Sequence, residues 1–208
     1  MHIPVDHLVY ATPALERGVE EIERLTGVSP TPGGRHPGRG TRNALIALGV
    51  DAYLEIVAPD PDQPPPTGAR WLGVDAVTAS RLTTWAVART DLPERRDRAM
   101  KHGVPLGEVR SGARQRADGV RLSWRLTDPD PLVAGGVVPF LIDWGESPHP
   151  SRAAAQGATL VDLRVEHPDV DAVRRMLRAL DLDVAVTRAE RAAVVAIIDG
   201  RRGRIELR

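Results

Sequence analysis

Chemistry in this chain must come from histidine, carboxylate and arginine side chains, because its 208 residues include no cysteine. That excludes a thiol nucleophile, thiolate metal ligands and a disulfide scaffold. Of the 28 basic residues only Lys101 is a lysine, so any Schiff-base or phosphate-loop lysine chemistry would rest on it alone. The densest group of candidates is residues 30–42, with four glycines, three prolines, three arginines and His36. This reads as a long glycine-rich loop between strands, where backbone can approach a ligand closely. At the rim of such a loop, Thr41 and Asn43, the one asparagine of the chain, could hydrogen-bond a small polar ligand. His36 could act there as acid or base near neutral pH, and reads equally well as a surface loop histidine.

Aromatics form the second group. The chain has four Trp, two Tyr and one Phe, and Trp85, Trp124 and Trp144 all fall between residues 80 and 145. Strand aromatics ordinarily pack a core, but in a chain this poor in them the concentration could line an apolar pocket, with Trp71 as its cap. Ser123 and Ser151 lack a Gly-x-Ser-x-Gly context, so a serine hydrolase has no support.

The elements that must position these residues repeat. A strand-like run at residues 4–10 is followed by Thr12-Pro13, which reads as a helix N-cap with proline in the first turn. Leu15, Val19, Ile22 and Leu25 then make the apolar stripe of a helix that Gly27 closes. Strands at 44–48 and 52–57 complete a β-α-β-β-β unit, with a weak second strand near Val28. The pattern returns from residue 82, with Thr90 as N-cap, a helix at 92–102, and strands at 104–109, 120–126 and 137–142 around an Asp118-Gly119 turn. It returns again from residue 159. There His167-Pro168 replaces Thr12-Pro13, and Val170, Val173, Leu177 and Leu180 form the stripe. Strands follow at 183–187, 192–198 and 204–207. Thr12, Thr90 and His167 are spaced by 78 and 77 residues. These spacings predict modules at residues 1–59, 80–145 and 156–208, with a proline-rich extended linker at 60–79.

Equal numbers of acidic and basic residues, 28 each, argue against nucleic acid or an anionic membrane as partner. No apolar run approaches the roughly 20 residues that span a bilayer. The first residues lack a basic segment followed by an apolar one, so the expectation is a soluble, cytoplasmic protein with a small-molecule ligand.

The tandem β-α-β-β-β unit resembles the vicinal oxygen chelate superfamily, and within it the glyoxalase-like domain family. The residues that carry the resemblance are 6–10 (Asp-His-Leu-Val-Tyr), 33–43, 53–59 (Tyr-Leu-Glu-Ile-Val-Ala-Pro) and 139–144 (Pro-Phe-Leu-Ile-Asp-Trp). It implies an α+β fold in which repeated modules form a curved, open β-barrel around a cavity. Relatives of this kind include lyases, isomerases, dioxygenases and pure binders, so fold alone does not select the reaction.

The resemblance also implies a divalent metal (Zn, Ni, Mn or Fe) held by His and Glu from the first and last strands of two paired modules, and no nucleotide or flavin. His7 and Glu55 occupy those positions in module 1; a half-buried His7 hydrogen-bonded to Glu55 is the alternative. Module 2 places Trp85 and Leu141 at the matching positions, and neither ligates a metal. Module 3 offers Asp162 and Glu206. Pairing of modules 1 and 2 predicts one polar wall (His7, Glu55) facing an apolar one (Trp85, Trp124, Phe140, Trp144). Pairing of 1 and 3 would assemble His7, Glu55, Asp162 and Glu206 instead. The expected function is a glyoxalase-like protein acting on a small oxygenated metabolite, with Glu206 or water completing the metal site. The runner-up is a metal-free binding protein of the bleomycin-resistance type. An odd third module leaves an open sheet edge, which a homodimer would cover.

Overall fold

The computed structural model describes residues 4–115 and 119–208, so Asp118 of the expected Asp118-Gly119 turn lies outside the described residues. The first unit comprises β1 (Val5–Ala11), α1 (Leu15–Thr26), β2 (Thr31–His36), β3 (Thr41–Gly49) and β4 (Ala52–Pro59). The second comprises β5 (Arg81–Ala88), α2 (Leu92–Lys101), β6 (Val109–Gln115), β7 (Arg121–Thr127) and β8 (Phe140–Asp143). The third comprises β9 (Thr159–His167), α3 (Val170–Ala179), β10 (Ala185–Arg188), β11 (Ala193–Gly200) and β12 (Gly203–Leu207).

The first two units share one eight-stranded sheet in the order β2-β3-β4-β1-β5-β8-β7-β6. At its centre β1 runs parallel to β4 and antiparallel to β5. The sheet curves until its edge strands β2 and β6 lie against each other. Across that seam the Arg114 guanidinium of β6 donates to the Gly33 carbonyl of β2. The result is the α+β, nearly closed barrel expected. The third unit forms a separate four-stranded sheet, β10-β9-β11-β12, with β10 and β12 as its edges.

Helix stripes and strand alternation decide the faces. Ile22 of α1, Leu92 of α2 and Val173 of α3 pack in one core with Leu8, Leu54, Ile56 and Trp85, and with Leu163, Val165 and Val194 of the third sheet. The outer face of the barrel is therefore covered by helices and by the third unit. The inner face carries Val9, Ala86, Leu122, Trp124, Phe140 and Ile142.

Several local expectations shift. The residues read as a glycine-rich loop are largely β2, whose hairpin to β3 turns at residues 37–40. α1 begins after Ala14, not at Thr12, whose hydroxyl donates to the Ala14 carbonyl instead. α2 follows Asp91, one residue past Thr90. The linker does not stay extended, because it carries Trp71, Leu72, Val74 and Val77, and these fold onto the inner face as a plug.

Trp85 requires a correction. It was expected on the cavity wall, but it pairs with Leu8 on the outer face, fully buried, its indole N–H donating to the Val137 carbonyl at 3.0 Å. The neighbour opposite His7 is Ala86. A one-residue offset reverses the face of a strand residue. Substituting Trp85→Ala should cost about 3–5 kcal/mol of unfolding free energy, as for other buried aromatics, and leave the cavity walls intact. Urea denaturation checks this; a loss under about 1 kcal/mol would contradict the placement.

Candidate functional site

The inner face concentrates buried polar groups. β1 supplies His7, β4 Tyr53 and Glu55, β3 Asn43 and β2 His36; all five are buried. Their strands are adjacent in the sheet, so alternate residues project side by side. The opposite wall is apolar, with Trp124, Leu126, Phe140, Ile142 and Trp144, and Trp71 and Leu72 of the plug close it. The guanidinium of Arg114 enters the same cavity. Free space there is about 20 Å³, room for one water. A second recess of about 70 Å³ adjoins it, sharing His36, Trp71 and Trp124 and flanked by Arg39 and Arg110.

Glu55 is the hub of the polar wall. Its Oε1 accepts from Asn43 Nδ2 at 2.6 Å, and its Oε2 lies 3.7 Å from His7 Nε2. The second hydrogen of the Asn43 amide points to His36 Nε2 at 3.2 Å, and His36 Nδ1 meets Thr41 Oγ1 at 2.9 Å. Because an amide N–H must donate, His36 is the Nδ1–H tautomer, donating to Thr41. Thr41 also accepts the Trp71 indole N–H at 3.0 Å, which ties the plug to β3. Among the described residues Asn43 Oδ1 has no hydrogen-bond partner. Glycine at position 33 makes room for it, since a Cβ there would stand 2.2 Å from that oxygen. Gly112 does the same for Trp124, which it faces across β6 and β7.

A β-bulge adds the group the sequence reading passed over. Val5 pairs with Val87 and His7 with Ala86, so two steps on β1 match one on β5, and Asp6 is the extra residue. Asp6 is fully buried and its Oδ1 lies 2.6 Å from His7 Nδ1. The segment after β8 folds back beneath it. There Trp144 Nε1 donates to Asp6 Oδ2 at 3.0 Å, and His149 Nε2 lies 3.3 Å from the same oxygen. His7 is stacked on Tyr53 at 4.7 Å and meets the Phe140 edge at 5.4 Å.

Burial sets the titration of these groups. It pushes the Asp6 carboxyl up, but hydrogen bonds from His149 and His7 outweigh it and hold Asp6 below the ordinary carboxylate range. It pushes His36 down to about 4 despite Glu55, with Arg114 and Arg39 acting in the same direction. His36 is thus neutral at pH 7 and does not titrate near neutrality as expected. Burial, Asp6 and Glu55 all raise Tyr53, which keeps its proton.

Of the expected site residues, the fold gathers His7, His36, Asn43, Glu55, Trp124, Phe140 and Trp144 around the cavity, with Thr41 behind His36. Leu141 faces the outer core, and Phe140 and Ile142 face inward. Glu206 is elsewhere: exposed on β12, it is held by Arg164 at 2.8 Å and Arg208 at 2.9 Å. Asp162, on β9, is exposed too. Among the described residues, no group of three or more His, Cys, Asp or Glu is placed to hold a metal ion. His7 Nε2 and Glu55 Oε2 give two donors, Asn43 occupies the other Glu55 oxygen, and a guanidinium shares the cavity. A catalytic divalent site takes three or more protein ligands, so this donor set does not fit one.

A family profile described as a glyoxalase-like domain matches residues 5–180. Among solved structures, a hypothetical protein from Staphylococcus aureus is 15% identical, with a TM-score of 0.64 over 97% of this chain and 83% of that one. Methylmalonyl-CoA epimerase from Mycobacterium tuberculosis is 22% identical over 72% of this chain and 91% of its own, with a TM-score of 0.44. The Streptomyces coelicolor methylmalonyl-CoA epimerase is 19% identical over 69% and 98%, with a TM-score of 0.45. No curated protein matches the sequence. Among the described residues, no helix is long and apolar enough to cross a membrane.

The buried neutral His36 has a measurable consequence. Its pKa falls from an ordinary 6.5 unfolded to about 4 folded, so the unfolded chain binds more protons between these values. The stabilisation is complete above pH 6.5 and is lost as pH falls towards 4, by roughly 3 kcal/mol in all. Urea unfolding at pH 7.5 and pH 5 should show about 2 kcal/mol of that decline in the native chain and a flatter profile in His36→Gln.

Proposed function

The chain belongs to the family of glyoxalase-like domains, and on that premise we propose that its inner cavity takes a small oxygenated carboxylate and moves a proton on the carbon next to its carbonyl. One observation carries this reading: a buried arginine, Arg114, lines the same narrow cavity as the buried pair His7 and Glu55. A guanidinium is suited to a carboxylate by shape and charge. Desolvated as it is here, it would strengthen that pairing.

The residues then take distinct roles. Arg114 holds the carboxylate and faces the oxygen on which charge builds. His7 Nε2 takes the proton from carbon, and the C–H electron pair passes into an enolate. Return of that proton to the opposite face of the same carbon yields the epimer. In a 2-hydroxy carbonyl compound its return to the adjacent carbon, with the hydroxyl proton passing between the two enediolate oxygens, yields the isomer, so no further reactant is needed. A proton arriving on His7 sits between Asp6 and Glu55. Asn43 keeps Glu55 in place, and Trp71, Trp124 and Phe140 exclude water. Because the free space is that of one water, entry requires the Arg114–Gly33 seam or the tryptophan plug to move, from the recess beside Arg39 and Arg110.

No step is routed through a metal, since the donor set does not fit one. Elemental analysis of the purified protein should find no stoichiometric divalent metal. A full equivalent that disappears in His7→Ala would overturn the reading in favour of the metal-dependent one. Tryptophan fluorescence should be quenched by small 2-oxo or 2-hydroxy acids whether or not a chelator is present. Arg114→Met should weaken that binding at least about tenfold, the loss of one charge-assisted contact. Equal binding by Arg114→Met would remove the anion-receptor role. Exchange of the ligand's α-hydrogen with deuterated water should vanish in His7→Ala.

A further inference from the structure

We propose that Asp6 is a positioning residue that fixes which nitrogen of His7 carries the proton, so that the Nε2 lone pair is presented to the ligand cavity. The role rests on the reading of His7 as proton acceptor, but its geometry stands on hydrogen bonds alone.

One side of Asp6 has its role fixed. Trp144 Nε1 carries a hydrogen and has no lone pair to offer, so Asp6 Oδ2, at 3.0 Å, must accept it. His149 Nε2 stands 3.3 Å from the same Oδ2, while its Nδ1 meets the Ser151 hydroxyl at 2.8 Å and the Ser151 backbone N–H at 3.3 Å. Oδ2 is therefore committed as an acceptor by the indole alone. Oδ1 lies 2.6 Å from His7 Nδ1, and since a carboxyl is the stronger acid of such a pair the shared proton sits on the imidazole and Oδ1 accepts it. His7 must then be the Nδ1–H tautomer. On the far side of the ring, Nε2 stands 3.7 Å from Glu55, beyond hydrogen-bond reach, as a lone pair facing a carboxylate would.

The bulge is what makes this possible. In a regular strand Asp6 would point to the face opposite His7, among Leu8, Tyr10 and the helices. With the extra residue in β1, neighbouring side chains turn inward together and the carboxylate reaches the imidazole of the next residue.

Asp6→Asn gives the test because its amide has only one oxygen. The Trp144 indole N–H needs an acceptor, so the amide oxygen must face it and the NH₂ must face His7 Nδ1. A donor there forces the His7 proton onto Nε2. Nitrogen NMR of protein labelled at histidine, without ligand, reads this directly, the His7 resonances being those absent from His7→Gln. The native chain should show His7 protonated on Nδ1, and Asp6→Asn should show it switched to Nε2. A native His7 protonated on Nε2 overturns the proposal, and so does an Asp6→Asn variant that keeps the native tautomer. Should Asp6→Asn not fold, the native spectrum alone decides. Since no ligand is present, the outcome is separate from the functional reading: a chain with the expected tautomer that binds no carboxylate would refute that reading and not this one.

Discussion

The pairing of β1 with both β4 and β5 is the constraint on which the rest of the molecule depends. It joins two units into one sheet, and its antiparallel side carries the bulge at Asp6. Without that join each unit would be a four-stranded sheet with an uncovered face. With it, the two inner faces enclose one another, and the walls differ because the two units differ: histidine, glutamate and asparagine on one side, tryptophan and phenylalanine on the other. The bulge has a cost, an interrupted ladder in the central strand, and it is offset by the contacts Asp6 makes with His7 beside it and with Trp144 and His149 of the segment after β8.

Burying this many polar groups is tolerable only because almost every one is matched. A desolvated hydrogen-bonding atom without a partner costs about 1–3 kcal/mol, and an unpaired charge more. Here Asp6 has His7, Trp144 and His149 as partners, Glu55 is held by Asn43, and His36 avoids the problem by staying neutral. Among the described residues two buried side-chain atoms lack a partner, Arg42 Nε and Asn43 Oδ1, the latter packed against Gly33.

Much of this was legible in sequence. Helix stripes such as Val170, Val173, Leu177 repeat with their units, and the likeness of residues 6–10 and 53–59 to the family pattern placed His7 and Glu55 on facing positions of one wall. What escaped depends on single-residue register. Strand period is two, so the bulge that brings Asp6 inward and the offset that sends Trp85 outward are invisible to a pattern read by counting from Thr12 and Thr90. Leu141, matched by that count to Glu55, faces the outer core for the same reason, whereas Phe140 lies on the cavity wall where the sequence placed it. Arg114 escaped differently: in a chain whose basic residues are almost all arginine, nothing local marks the one whose strand lies at the seam.

The third unit shows that element order alone does not make a cavity. Its sheet buries Leu163, Val165 and Leu207 against the outer core, as the first two do with their outer residues. Its other face has no partner sheet, and there the side chains are charged. Arg164 bridges to Glu206, and Arg208 to Glu206 and Glu166. Exposed pairs of this kind contribute little each, about 0–1 kcal/mol, yet they suit a face open to water. Asp162 and Glu206, the third unit's carboxylates, are thus the polar dressing of an unpaired sheet, whereas Glu55 of the first unit, enclosed by the second, is held by Asn43 and faces His7. Enclosure, and not residue type, separates a site from a surface in this chain.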